Sequence, residues 1–303
     1  MAESDIIDFT PELRKQALEN LKLFRWEQSP YVPPVGPNSK LLGTINIANT
    51  SGGVNWPGSG FDPETGIFYT QAGNSAVSVA KYDEEEFHRV SPEYQSKNRV
   101  PRYIAEPNYG QRREAPAAGR GGAAAGAPGA GRGGAAAPGA AFPGASARQA
   151  LGRGLDGLSI VKPPYGVMAA IDMNKGDLLW QVPHGDTPDN VRNHPALKGL
   201  NIPKTGQGGS VGVLITKTLV IAGDPQFTTR DGVRGASLRA YDKKTGEQVG
   251  EVRMPAPISG SPMTYSVNGR QYIIVAVSGA GYTGEYIAFA APQVAAPTTS
   301  APQ

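Results

Sequence analysis

The hydrophobic pattern divides the chain into two regimes. Leu13, Ala17, Leu21 and Phe24 fall at i, i+4, i+8 and i+11, the spacing of one helix face. Thr10 suits the N-cap, Pro11 the first helical position, and Glu12 the positive end of the helix dipole. Together they predict an amphipathic helix over residues 10–26, packed on a larger body. Pro30, Pro33, Pro34 and Pro37 follow and require extended chain.

From about residue 40 the pattern becomes short β-prone runs separated by turns. Residues 42–48 alternate partly, and Ile67–Thr70 follows the turn Asp62–Gly66. Residues 84–112 are polar and irregular. Residues 114–147 are mostly Ala, Gly and Pro with scattered Arg, and Phe142 is their one large apolar side chain. Gly and Pro oppose helix there and little can be buried, so a disordered insertion is expected.

Strong β pattern resumes near Lys162. Strands are predicted at 166–172, 177–182, 211–215, 219–222, 237–242, 247–252, 263–267, 271–277 and 286–290. Asn268-Gly269 is the strongest short hairpin signal in the chain. The tail after Pro292 is expected to be disordered. The resulting division is an N-terminal helix and Pro-rich linker (1–39), a first β region (40–112), the insertion (113–159), a second β region (160–291) and a tail (292–303).

Composition narrows the chemistry. The 40 Gly and 27 Pro reflect both the turns and the insertion. A net charge of +3 is too small for the basic face that nucleic-acid binding needs, so no nucleic-acid partner is expected. There is no cysteine, which excludes disulfides and thiolate metal sites. The chain has three histidines, and His184 and His194 read as solvated loop residues rather than a metal pair. No apolar run reaches the length of a membrane span, and the acidic N-terminus is not an export signal. Gly206–Ser210 superficially suggests a phosphate loop but lacks the Lys-Ser/Thr of one, and reads as the lead-in to a strand.

Two hairpins repeat. One reads Ala170-x-Asp172-x-x-x-Gly176-x-x-x-Trp180, the other Ala240-x-Asp242-x-x-x-Gly246-x-x-x-Gly250. Asp opens such a turn by accepting backbone N–H groups, and Gly closes it at positive φ. A repeated hairpin that cannot bury its face alone points to sheets stacked around an axis. The motif resembles the tryptophan-docking motif of the pyrroloquinoline-quinone (PQQ) propellers. Trp180 is accordingly expected to pack between blades, with docking weaker or replaced at Gly250. Gly52-Gly53-Val54-Asn55-Trp56-Pro57-Gly58 is similar to the family's Gly-rich Asn-Trp segment, and 259–273 to its last-blade hairpin. The helix with Thr10–Arg14 is similar to a segment of the membrane glucose dehydrogenase-like branch.

The resemblance implies an all-β, partial β-propeller. Its twelve to fourteen strands make three to four blades of a family fold of eight, together with a short N-terminal helix and the insertion. It implies a C-terminal portion of a PQQ-dependent dehydrogenase that oxidises a sugar or alcohol. Electrons would pass to a membrane quinone or a cytochrome, at the periplasmic face of the membrane. The cofactors implied are PQQ and calcium or magnesium. The catalytic aspartate base and most metal ligands would lie in an N-terminal half absent from this chain. Asn55, Trp56 and Gly53 are the candidate cofactor contacts. An Asn amide can both donate to and accept from quinone oxygens, an indole offers a flat face, and glycine lets backbone approach a bulky ligand. Asp62, Asp172 and Asp242 read as turn residues, so no catalytic residue is assigned. The alternatives are a non-catalytic propeller module with the same repeat, and an inactive fragment.

Overall fold

The computed structural model describes residues 1–29, 32–36, 38–47, 53–54, 57–74, 77–81, 104–105, 147 and 149–291. Helix α1 spans Pro11–Leu21, and the Thr10 hydroxyl accepts the Leu13 N–H as its cap. It stops before the predicted end because tertiary pairing takes over. The Leu23 carbonyl accepts Leu42 N–H, and Arg25 N–H donates to Gly43 O. The apolar face of α1 is buried with Phe24, Ile45, Leu151, Leu155 and Tyr165. Residues 149–158, at the end of the predicted insertion, are part of this core. The Asn20 amide donates to the carbonyls of Leu151 and Arg153 and ties them to the helix.

The strands are β1 (Thr44–Ile47), β2 (Gly60–Asp62), β3 (Ile67–Gly73), β4 (Val77–Lys81), β5 (Ile104–Ala105), β6 (Gly166–Asp172) and β7 (Asp177–Pro183). After a short helix, α2 (Asp189–Arg192), come β8 (Val213–Ile215), β9 (Leu219–Gly223), β10 (Thr228–Arg230), β11 (Val233–Asp242) and β12 (Gln248–Met254). The last are β13 (Met263–Val267), β14 (Arg270–Gly279) and β15 (Tyr282–Ala290).

Three antiparallel sheets follow one another along the chain. The first has the order β2-β3-β6-β7. The second runs β8-β9-β11-β12, with β10 as a ribbon on the free start of β11. The third is β13-β14-β15. A separate small sheet, β1-β4-β5, shares the core of α1. The fold is all-β and propeller-like: each sheet packs face to face on the next. First strands are neighbours at one side, where Gly60 of β2 lies against Ile215 and Val213 of β8. The last strands β7, β12 and β15 are largely exposed.

The short turns lie at one end of the sheets. Asp62–Gly66, Asp172–Gly176 and Asp242–Gly246 are three copies of one turn. In each, the aspartate carboxylate accepts the N–H two residues on. In each, the glycine N–H closes on the aspartate carbonyl at 2.7–2.9 Å with φ between +70° and +77°. The first copy joins β2 to β3 and lacks the alanine of the repeat motif.

Trp180 joins the first sheet to the second at this end. Its Nε1–H donates to Lys243 O at 3.0 Å, and its ring covers Gly246, where an added Cβ would fall 2.6 Å from Cε3. Tyr69 packs against the indole, 5.9 Å between ring centroids. Lys243 Nζ reaches across the same junction to Asp62 at 2.5 Å, and this bond holds the Asp62 carboxyl down to about 2. Between the second and third sheets Gly250 brings no such ring. At the opposite end of that junction Phe227 packs against Gly279, and Arg234 lies 3.5 Å over the Phe227 ring while donating to Ala280 O.

Candidate functional site

The long connections gather at the other end of the sheets. They include residues 57–59, 183–212 and 254–262, and the core of α1 shares Val191 and Leu197 with them. Long connections held by a rigid scaffold are where a fold of this kind carries its chemistry.

At the side where first strands meet, three lead-in segments converge. Gly53 O accepts Gly73 N–H at 2.8 Å and the Ser210 hydroxyl at 3.4 Å. Pro57 O accepts the Ser261 hydroxyl at 2.9 Å. Gly53 is therefore tied to the first and second sheets and Pro57 to the third. Gly212 must be glycine for this, because a Cβ would occupy the space of Ser261 Oγ and Pro57 O. Gly73 and Gly209 approach backbone to backbone in the same way. Gln71, fully buried, donates its amide to Gly209 O and accepts Val211 N–H, which fixes the path of 209–211. Of the candidate cofactor contacts, Gly53 is thus placed in this junction. Asn55 and Trp56 lie outside the described residues.

A charged cluster stands further along the same end, between the first and second sheets. Arg239 on β11 is buried and donates to both oxygens of buried Asp224, at 2.6 and 2.9 Å. It also donates to Asp186 and Glu251. Arg230 completes the set with Asp186 at 2.7 Å and with Glu251. Burial alone would raise the Asp186 pKa, but Arg230 and Arg239 hold it down to about 2. Beside them His184 is fully buried. Its Nε2–H donates to Gly223 O at 3.0 Å, so Nδ1 accepts from the Tyr241 hydroxyl at 2.9 Å. Desolvation lowers its pKa to about 4 and keeps it neutral.

His184 and His194 are therefore not solvated loop residues. The second sheet closes over His184, and buried His194 caps a short turn by accepting Ala196 N–H. Among the described residues no three His, Asp or Glu side chains gather as a metal site. The charged cluster did have a sequence signal. Ser237, Arg239 and Tyr241 alternate along β11 and share one face, and polar residues on an inward face demand partners. The partners come from distant loops, so spacing could not name them.

Against this geometry stand the comparisons with known proteins. The family model "PQQ: Glucose/ethanol/alcohol dehydrogenase, beta-propeller domain" matches residues 1–273. The chain belongs to the PQQ glucose/ethanol/alcohol dehydrogenase propeller family. Quinoprotein glucose dehydrogenase A of Acinetobacter calcoaceticus is 31% identical over 130 residues, which are 42% of this chain and 15% of that protein. The glycerol dehydrogenase large subunit of Gluconobacter oxydans is 34% identical over 125 residues, 41% of this chain and 16% of that protein. Among solved structures, quinohemoprotein alcohol dehydrogenase from Comamonas testosteroni aligns with 75% of this chain and 22% of its own, at 18% identity and a TM-score of 0.39. The chain spans only 15% and 16% of the two curated relatives.

PQQ is a planar tricarboxylate, and its anions call for cationic or N–H donors. Around Gly53 the polar side chains of Gln71, Asn74, Ser210 and Ser261 are committed to backbone partners. Arg230 and Arg239 at this end of the PQQ-family sheets are ion-paired. The described residues fit a scaffold that holds Gly53 and Pro57. They do not by themselves fit the anionic quinone.

Proposed function

We propose that this chain is one sector of a PQQ-dependent dehydrogenase that oxidises a sugar or an alcohol, completed by further propeller sheets. The observation that carries this reading is that Gly73 of the first sheet and the lead-ins of the second and third hold the carbonyls of Gly53 and Pro57, in a chain of this family. In this reading Asn55 and Trp56 meet one face of the quinone and Gly53 gives the backbone room to do so. Calcium or magnesium, the catalytic base and the charges that hold the quinone carboxylates come from the completing sheets. Relatives named for glucose, glycerol and 1-butanol support the substrate class. Names that carry quinone or cytochrome c support a respiratory acceptor, and the reading puts the enzyme at the periplasmic face of the membrane. No described helix is long and apolar enough to cross a membrane. The division at 1–39, 40–112, 113–159, 160–291 and 292–303 belongs to the same reading.

The test is titration of PQQ, with calcium or magnesium, into the chain assembled with its completing propeller sheets, followed by tryptophan quenching, and then dye-linked oxidation of glucose and glycerol. Saturable quenching that weakens at least tenfold in Asn55→Ala, at unchanged melting temperature, is the expected result. Absence of binding with either metal would overturn it in favour of a non-catalytic propeller module, which has no use for the Asn-Trp pair, or of an inactive fragment.

A further inference from the structure

The second sheet carries a strand with no counterpart in the third. In the third sheet β14 runs into β15 through a tight turn at Ala280 and Gly281. In the second sheet the same connection is the β10–β11 ribbon, which leaves the sheet after Gly223 and returns at Gly235. Its tip, Asp231-Gly232, turns at φ +51° and +76°, the paired left-handed conformations of a two-residue hairpin loop. Asp231, Gly232, Val233 and Arg234 are all exposed.

Base and tip are held by different means. At the base Ser237 N–H donates to Asp224 Oδ2, Asp224 N–H donates to Ser237 O, and Arg239 closes on both Asp224 oxygens. All three residues are buried. Nearer the base, too, Arg253 donates to Thr228 O and Arg230 to Asp186. Further out, the apolar anchor is Phe227, half-buried against Gly279. The remaining ties are polar and lie at the surface. Thr229 turns its backbone groups away from β11, and α2 takes the place of a strand on that edge. Both Asp189 oxygens accept Thr229 N–H, at 3.1 and 3.0 Å, and Arg192 donates to Thr229 O at 2.9 Å. Asp189 and Arg192 also face each other at 3.8 Å. An edge strand needs such partners, but exposed ionic ones hold weakly and are screened by salt. On the other side Arg234 reaches Ala280 O at 2.9 Å, again at the surface. The ribbon thus lies as a strap from the 183–212 connection, across the second sheet, to the turn of the third.

We propose that the β10–β11 ribbon is a latched strap that opens at Thr229 as a unit of its own, while the base at Asp224 and Arg239 stays shut, and that ionic strength sets how often it opens. Opening gives up few buried apolar contacts, so it costs less than unfolding the sheet. Gly235, where the ribbon rejoins the sheet, is the hinge. It is packed so closely that an added Cβ would fall 2.5 Å from Met254 O, so the motion stops there and does not run on into β11. Release of the strap frees two partners together, α2 with the connection that carries it and the turn at Ala280. The loop ends of all three sheets are therefore coupled to one exposed latch. The inference rests on the contacts of the ribbon and not on quinone binding.

The test is amide hydrogen exchange of the full chain, read separately for residues 226–235 and 236–242. The ribbon should exchange at least tenfold faster than the sheet. Raising sodium chloride from about 0.02 M to about 0.5 M should speed the ribbon severalfold and leave 236–242 unchanged. Asp189→Ala should speed the ribbon at least tenfold in low salt, because it removes a charged acceptor. Asp189→Asn keeps an acceptor without the charge and should remove most of the salt response. Arg234→Ala releases the other end of the strap, so it should speed the ribbon and leave the salt response in place. Circular dichroism checks that each variant folds. Equal exchange in the two stretches, or a response to salt and to Asp189 shared by both, would overturn the proposal, since ribbon and sheet would then open only together. So would a ribbon that exchanges in the parent chain as fast as a free peptide, since it would then have no latch.

Discussion

Acid should destabilise this protein through His184 well before it does so through its paired carboxylates. In the folded chain the ring is fully buried, donates to Gly223 O and accepts from Tyr241. Charging the ring requires a second proton on Nδ1, which then faces a hydroxyl that must turn away. Asp224 favours the charged form, while desolvation, Arg239 and Lys204 oppose it, and desolvation dominates. The folded pKa is about 4 against 6.5 for an unperturbed histidine, so the unfolded state binds the proton first. The stabilisation is therefore complete above pH 6.5 and is lost as pH falls toward 4. Linkage over that shift gives a loss of about 2 kcal/mol between pH 7.5 and 5 and about 3 kcal/mol by pH 4. Asp62 and Asp186, both held to about 2, lose their contributions only below the ordinary carboxylate range, toward pH 2. Urea unfolding followed by tryptophan emission at pH 7.5, 6, 5 and 4.5 measures the loss, and His184→Gln removes the titrating group. The difference in stability between the parent chain and His184→Gln should shrink by about 2 kcal/mol from pH 7.5 to 5. A difference that stays constant over that range would refute the reasoning.

Three further outcomes follow from the junctions between sheets. Trp180→Phe keeps an aromatic cover on Gly246 but removes the N–H to Lys243 O, and should cost about 1 kcal/mol in urea unfolding; Trp180→Ala also removes the ring and should cost about 3 kcal/mol. Lys243→Met removes the first cause of the lowered Asp62 pKa, so a carbon-13 titration of the Asp62 carboxyl should move up from about 2 toward the ordinary carboxylate range. Gly212→Ala drives a Cβ into Ser261 Oγ and Pro57 O, and should speed amide exchange at residues 53–59 while leaving the turn at 242–246 protected.

Much of the fold was legible because local physics set it. The Thr10 cap, the 3.6-residue face of α1 and the Asp-x-x-x-Gly turns are decided within a few residues, and strand β13 has its predicted bounds. The Ala-x-Asp-x-x-x-Gly-x-x-x-Trp hairpin also carried the propeller expectation, and Trp180 does pack between sheets. Other features depended on residues far apart. Strand β11 begins four residues before its predicted start because the β10 ribbon extends it. Helix α1 ends at Leu21 because residues 42–44 capture the chain beyond it.

What the sequence determined by itself is the repeat unit: a hairpin whose turn closes on its own aspartate and glycine, and whose apolar face needs a neighbour. Hydrogen-bond geometry over seven residues and a period of two suffice for that. What only the tertiary structure decided is which polar groups become partners across the junctions. Asp62 and Lys243 are 181 residues apart, and His184 and Tyr241 are 57 apart. No spacing rule links such pairs, because their proximity comes from the stacking of whole sheets. The same stacking decided which turns are covered: the turn at Gly246 lies under Trp180, while among the described residues nothing stands within 4 Å of where a Cβ on its twin Gly176 would lie.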